Sequence, residues 1–190
     1  MLANRFSLFV LLCLLAGPFA ASADWVSPAQ QPEGAAQLQV LSSTQNRTVI
    51  EFKLPGVWVD ESGYVRADGG GVQAEVGRPD LPAVRTLVAI PADAKVELKV
   101  TGSEFATVPG VDVAPWQKPP LRPPVEGPHN FEIDRGVYSR NAFWPAGAAS
   151  VSEPMILRDY RVVQVSFNPV QYNPRTGELR VYSRIRVELD

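Results

Sequence analysis

The chain predicts an all-β protein: an antiparallel β-sandwich, jelly-roll-like, with a long Pro-rich crossover loop. Three observations carry this reading. Over residues 179–189 apolar and polar side chains alternate, the period of a strand with one buried face. Other short alternating runs are separated by Pro, Gly, Asn and Asp, which terminate strands and form turns. Beyond residue 23 no stretch combines helical periodicity, caps and length. Many short strands joined by Pro/Gly turns fit a sandwich or jelly roll.

Taken in chain order, residues 1–23 read as a secretory signal peptide. Arg5 supplies the positive charge, and residues 6–16 form an apolar run too short to span a bilayer comfortably. Gly17 and Pro18 break that run. Ala21-Ser22-Ala23 offers small residues for processing, so cleavage is expected between Ala23 and Asp24; an uncleaved anchor is the alternative. Residues 24–36 are polar, contain Pro28 and Pro32, and read as a flexible leader. Residues 37–190 are expected to form one β-domain, for which the length is ample.

Within that domain, residues 38–41 and 48–54 are strand candidates. In the second, Thr48, Ile50, Phe52 and Leu54 share one face, opposite Val49, Glu51 and Lys53. Val57-Trp58-Val59 and Tyr64-Val65-Arg66 flank Asp60-Glu61-Ser62-Gly63, a hairpin with Gly at the positive-φ position. Gly77-Arg78-Pro79-Asp80-Leu81-Pro82 is rigid punctuation before a strand over residues 84–90. Residues 91–94 turn the chain, and residues 95–100 return with strict alternation, so the pair reads as a hairpin or the corner of a sheet. Near the end, Val163, Val165 and Phe167 share a face and are expected to partner residues 179–189 across the intervening turn. In that turn Pro169 ends regular pairing, and Asn173 to Gly177 supplies the reversal.

Between these runs lies a segment of different character. Seven prolines fall within residues 109–128, which rules out a central strand or a helix and favours extended, polyproline-like backbone. It reads either as a surface crossover between sheets or as a preformed strap lying across another protein. Residues 131–145 come next, mixing Phe131, Tyr138, Phe143 and Trp144 with Arg135 and Arg140. Aromatic residues and Arg are favoured interface anchors, although each aromatic also reads as packing beneath the loop.

Composition excludes several function classes. The formal charge is −2, so there is no basic excess for nucleic acid. No apolar run after residue 23 approaches membrane-spanning length. The single cysteine, Cys13, lies inside the signal segment, leaving no disulfide, thiolate metal site or cysteine nucleophile in the remainder. His129, between Pro128 and Asn130, is the one histidine; without a nucleophile or carboxylate framework it does not make a catalytic centre. Asp60, Glu61 and Asp68 lack calcium-loop spacing, and Gly69-Gly70-Gly71 is not followed by Lys-Ser/Thr as a phosphate loop requires. No enzyme activity, metal or cofactor is expected of the chain itself.

Several motifs occur in order across residues 38–189. They are Gly77-Arg78-Pro79-Asp80-Leu81-Pro82, then Leu87-Val88-Ala89-Ile90-Pro91 with Ala94-Lys95-Val96-Glu97-Leu98. Tyr138 through Pro145 is the next. Glu153-Pro154-Met155-Ile156-Leu157-Arg158-Asp159-Tyr160-Arg161 and Asn168-Pro169-Val170-Gln171-Tyr172-Asn173-Pro174 complete the set. This ordered set resembles the N-terminal propeptide of gingipain-type secreted cysteine peptidases. The Pro-rich middle matches least. The resemblance implies a secreted prodomain whose partner is the catalytic domain of a gingipain-type cysteine peptidase, kept latent and assisted in folding. In that family a peptidase domain comes after the propeptide, so these residues read as a truncated precursor or as a stand-alone inhibitor-like module.

Under that reading a basic side chain on an exposed loop enters the specificity pocket of an Arg- or Lys-selective peptidase, inhibiting where the loop is held off the attack geometry. The candidates are Arg140 and Arg135, ranked first for their aromatic neighbours, then Arg122 and Lys118. The alternative is a secreted, non-enzymatic β-sandwich interaction or adhesion module that uses the Pro-rich strap and the aromatic loop on some other surface.

Overall fold

A computed structural model describes residues 23–119 and 131–190. Its strands in chain order begin with β1 (Asp24–Val26), β2 (Gln37–Ser43), β3 (Thr48–Lys53), β4 (Val57–Val59), β5 (Val65–Arg66) and β6 (Gly71–Val72). They continue with β7 (Pro82–Ala89) and β8 (Leu98–Val108). After a single helical turn, α1 (Arg135–Tyr138), come β9 (Ala149–Val151), β10 (Met155–Leu157), β11 (Tyr160–Phe167), β12 (Val170–Asn173) and β13 (Glu178–Leu189). Residues 1–22 of the signal segment and Arg122 lie outside the described residues. So does His129.

The all-β antiparallel expectation holds. One five-stranded sheet has β13 at its centre. Along one edge β13 pairs with β8 over residues 179–189; along the other it pairs with β12 near its start and with β3 further on, and β2 lies outside β3. The second sheet is built on β11, which pairs with β7 on one edge and with β9 and β10 on the other. A small third sheet, β1-β4-β5, closes one side. Ile50 and Phe52 from the first sheet, with Leu54 just beyond β3, meet Val163, Val165 and Phe167 from the second in one core.

The alternation read in residues 179–189 is that of the fold. Leu179, Val181, Ile185, Val187 and Leu189 are buried. Ser183, the exception to the pattern, sits where the register with β8 shifts between Tyr182 and Arg184, as a residue displaced by a β-bulge does. The hairpin over residues 57–66 also forms. Asp60 Oδ1 accepts from the Ser62 and Tyr64 amides, both at 2.9 Å, and Gly63 takes φ +79°.

Two expectations are corrected. Residues 160–167 are not the partner of residues 179–189: β11 and β13 lie in different sheets, and the chain crosses between them at Asn168-Pro169. Pro169 has no N–H to continue the ladder. Asn168 is buried and anchors the crossing through bonds to Gly147 and Ala148. Of the two readings of the pair over residues 84–100, the corner holds: β7 and β8 lie in different sheets, with Ile90 bonded to Arg161 of one sheet and Glu97 to Asp190 beside the other. Finally, the leader is not free of the domain. β1 pairs with β4, Trp25 packs on Trp58 with centroids 5.2 Å apart, and Ser27 Oγ donates to the Pro55 carbonyl at 2.7 Å. One indole and three backbone pairs tie down a segment that polarity and proline content marked as loose.

Candidate functional site

The connection from β8 to β9 carries the basic candidates. Its outgoing arm, residues 109–119, is fastened to the domain. Val111 N–H donates to Gly177 O, Ala114 N–H to Gly63 O and Trp116 N–H to Arg78 O. Val113 is fully buried in the core. Residues 109–119 form no helix and one isolated bridge, Pro79 to Pro115.

The returning arm begins with Phe131 and Ile133, both exposed, and enters α1. Asp134 caps that turn: its Oδ1 accepts from the Gly136 amide at 2.9 Å and the Val137 amide at 3.2 Å, satisfying donors that a helix start leaves free. Those amide bonds, chiefly that of Val137, with Arg78 beside them, hold the Asp134 carboxyl below its ordinary value.

Aromatic residues fasten the stretch from Tyr138 onward. Tyr138 Oη donates to the Val113 carbonyl at 2.9 Å, and burial holds its phenol above the ordinary range, so it remains a donor. Phe143 lies 4.0 Å from the Arg180 guanidinium, whose other side faces Phe105 at 4.6 Å. Trp144 and Tyr172 exchange two backbone hydrogen bonds of 2.8 Å. Gln171 Nε2 donates to Pro145 O at 2.7 Å, and Asn173 Nδ2 to Asn141 Oδ1 at 2.9 Å. Residues 138–148 are thereby laid across β12 and the start of β13.

On this scaffold Arg135 is the first residue of α1 and Arg140 comes just after its C-cap, Ser139; both are exposed. Lys118 is exposed on the outgoing arm. Ala23 and Asp24, the expected processing junction, are exposed at the start of β1. An open cavity of about 560 Å³ lies elsewhere, lined by Arg47, Ile90, Asp93, Lys95 and Asp190 among others; none of the basic candidates lines it. Among the described residues no cluster of His, Cys, Asp and Glu is arranged to hold a metal ion, and no helix is long and apolar enough to cross a membrane.

Sequence reasoning missed the side chains that fix these arms. Gln117, Asp134 and Arg180 carry no motif. The one signal was Gly77-Arg78-Pro79, read as punctuation: Arg78 Nε lies 3.3 Å from Asp134 Oδ2, and Arg78 also pairs with Glu75.

Fold and site together define a β-sandwich that presents cationic side chains on a fastened excursion. The chain belongs to the Propeptide_C25 family, whose model matches residues 29–190. Among curated proteins it is similar to gingipain R1 of Porphyromonas gingivalis, 32% identical over 162 residues, covering 79% of this chain and 16% of that protein. Gingipain R2 of the same species is 30% identical, with 80% of this chain and 21% of that protein covered. The chain thus spans about a fifth or less of these relatives. Among solved structures it resembles the complex of P. gingivalis RgpB pro- and mature domains, with a TM-score of 0.71, 26% identity, and 81% of this chain and 82% of that chain covered. A structure described as giving insight into the zymogenic latency of gingipain K shares the fold, with a TM-score of 0.73 at 20% identity over 90% of this chain and 99% of that one.

Proposed function

We propose that this domain is the latency-maintaining inhibitor and folding aid of a gingipain-type cysteine peptidase. The observation that carries the reading is the match of residues 29–190 to the propeptide family. The likeness to a prodomain solved in complex with its mature domain supports it. In this reading residues 1–23 direct export, processing falls between Ala23 and Asp24, and the domain acts outside the cytoplasm. A basic side chain from the β8–β9 connection occupies the specificity pocket. Arg140 and Arg135 are favoured because α1 and the docked aromatics hold their backbone, which lowers the ordering cost of binding. Lys118 and Arg122 are the alternatives.

The test is a titration of the purified chain into Arg-specific and Lys-specific gingipain-type peptidases, following cleavage of short Arg- and Lys-containing substrates. Tight, saturable inhibition of one activity is expected. Loss of neither activity at stoichiometric excess would sink the reading and leave a β-sandwich interaction module.

A further inference from the structure

The two arms of the β8–β9 connection are joined at their base by one side chain. Gln117, on the outgoing arm, donates from Nε2 to the Glu132 carbonyl at 2.8 Å. Its Oε1 accepts from the Glu132 amide at 3.0 Å. A primary amide here makes both bonds that a neighbouring strand would make to one residue. The same Nε2 also reaches the Pro115 carbonyl, at 3.2 Å, which fixes the side chain to its own arm.

A second contact lies beside it. Gly77 N–H donates to Trp116 O at 2.9 Å, and Gly77 O accepts from Asp134 N–H at 2.8 Å. Gly77 is therefore wedged between the same two arms. It takes φ +78°, and a Cβ there would lie 2.8 Å from the Asp134 nitrogen; only glycine fits both the conformation and the space.

The clamp lies next to two of the basic candidates. Lys118 directly follows Gln117, and Arg135 directly follows Asp134. Two of the four basic candidates therefore leave the domain one residue from the clamp. We propose that Gln117 is a positioning residue of the inhibitory function: by tying the outgoing arm to Glu132 it sets the spacing and direction from which Lys118 and Arg135 meet the peptidase. The inference rests on the domain being an inhibitor. Holding the arms before binding removes an ordering cost that a loose connection would meet at the moment of association.

Two variants test it. Gln117→Ala deletes both bonds to Glu132. Gln117→Glu keeps the shape and the acceptor for the Glu132 amide but loses the donor, and serves if the alanine variant folds poorly. Inhibition constants are measured against the peptidase that the parent inhibits, alongside melting temperature and hydrogen exchange at the Glu132 amide. The expected result is graded: inhibition at least ten-fold weaker for Gln117→Ala and intermediate for Gln117→Glu. The Glu132 amide should exchange faster in Gln117→Ala, with the melting temperature unchanged to within about 2 °C. An alanine variant that inhibits within two-fold of the parent overturns the proposal. So does a fall in melting temperature that tracks the loss of inhibition across both variants, because the role is then structural. A parent that inhibits neither an Arg- nor a Lys-specific peptidase overturns the functional reading, and the clamp's role with it.

Discussion

The rings of Phe52 and Phe167 stack across the sandwich, with centroids 5.2 Å apart and planes inclined by 15°. Phe52 belongs to β3 in one sheet and Phe167 to β11 in the other, and neither is exposed to solvent. The pair joins the inner faces of the two sheets directly. Phe167→Ala removes one ring and leaves a cavity that rigid strands on both sides cannot fill. The expected loss is about 3–5 kcal/mol of stability, read from the midpoint of a urea unfolding curve.

Glu51 gives a pH dependence with a definite sign. It is buried on the outer side of β3 yet paired, with Arg186 Nη2 at 2.8 Å, Lys53 Nζ at 3.2 Å and Arg184 Nη1 at 3.7 Å. The Arg186 hydrogen bond holds its carboxyl below the ordinary value of 4.5, outweighing the opposing effect of burial, and Lys53 adds to it. A depressed value means that the folded state binds the proton less readily than the unfolded chain. The stabilisation is thus present above pH 4.5 and is lost as pH falls through the lower, folded-state value. Glu51→Gln should be less stable than the parent at neutral pH, and the two should converge in acid. Parallel melting curves at pH 7 and pH 3 read the difference; a constant gap would contradict the assignment.

Two glycines separate conformation from crowding. Gly63 and Gly110 have nearly equal φ, +79° and +76°. At Gly63 a Cβ would lie 2.1 Å from the Asp112 carbonyl oxygen; at Gly110 nothing lies within 4 Å. Gly110→Ala should cost only the conformational term, about 1–2 kcal/mol. Gly63→Ala should cost clearly more, because backbone must move. Thermal unfolding of the two variants side by side measures the gap.

Arg180 is held between Phe143 and Phe105, so it joins the returning arm to β8 and β13. Arg180→Ala should loosen residues 141–145 and lower stability by about 1–2 kcal/mol. Arg180→Lys should recover little of it, since an ammonium does not stack as a planar guanidinium does. Hydrogen exchange at the Trp144 amide reports the loosening directly.

For the basic candidates, the double variant Arg135→Ala/Arg140→Ala should weaken inhibition at least ten-fold while leaving the melting temperature unchanged, because both side chains are exposed. Inhibition equal to the parent's would move the pocket-filling role to Lys118 or Arg122.

The strands with one buried face were legible in the sequence. Alternation at Leu179 to Leu189 and at Val163 to Phe167 reports burial directly, because each side chain's face follows from its position in the pleat. Pairing was less legible. Val163, Val165 and Phe167 look alike whether their strand hydrogen-bonds to β13 or faces it across the core, and it faces it. Short-range turn chemistry at Pro169 marks where a strand stops, not which sheet the next one joins. Glu51 was placed correctly on the outer face, but its burial was not foreseen, because the covering arginines come from residues 184 and 186. The four basic residues of the candidate site were visible as cations near aromatics and prolines. The clamp was not visible: Gln117 and Glu132 are far apart in sequence, and an amide that imitates a strand leaves no periodic trace.

β13, the last of the described strands, is the innermost strand of its sheet, flanked by β8 on one side and by β3 and β12 on the other. Until residues 178–189 have been synthesised, β8 lacks the neighbour along which it runs and the first sheet is split into separate pieces. Such late, distant pairings are slow to form. For this one sheet, then, the order of synthesis sets when its halves can join. Arg180, which packs on Phe143 of the returning arm, arrives only with β13, so that fastening is made after every strand of the second sheet has been synthesised.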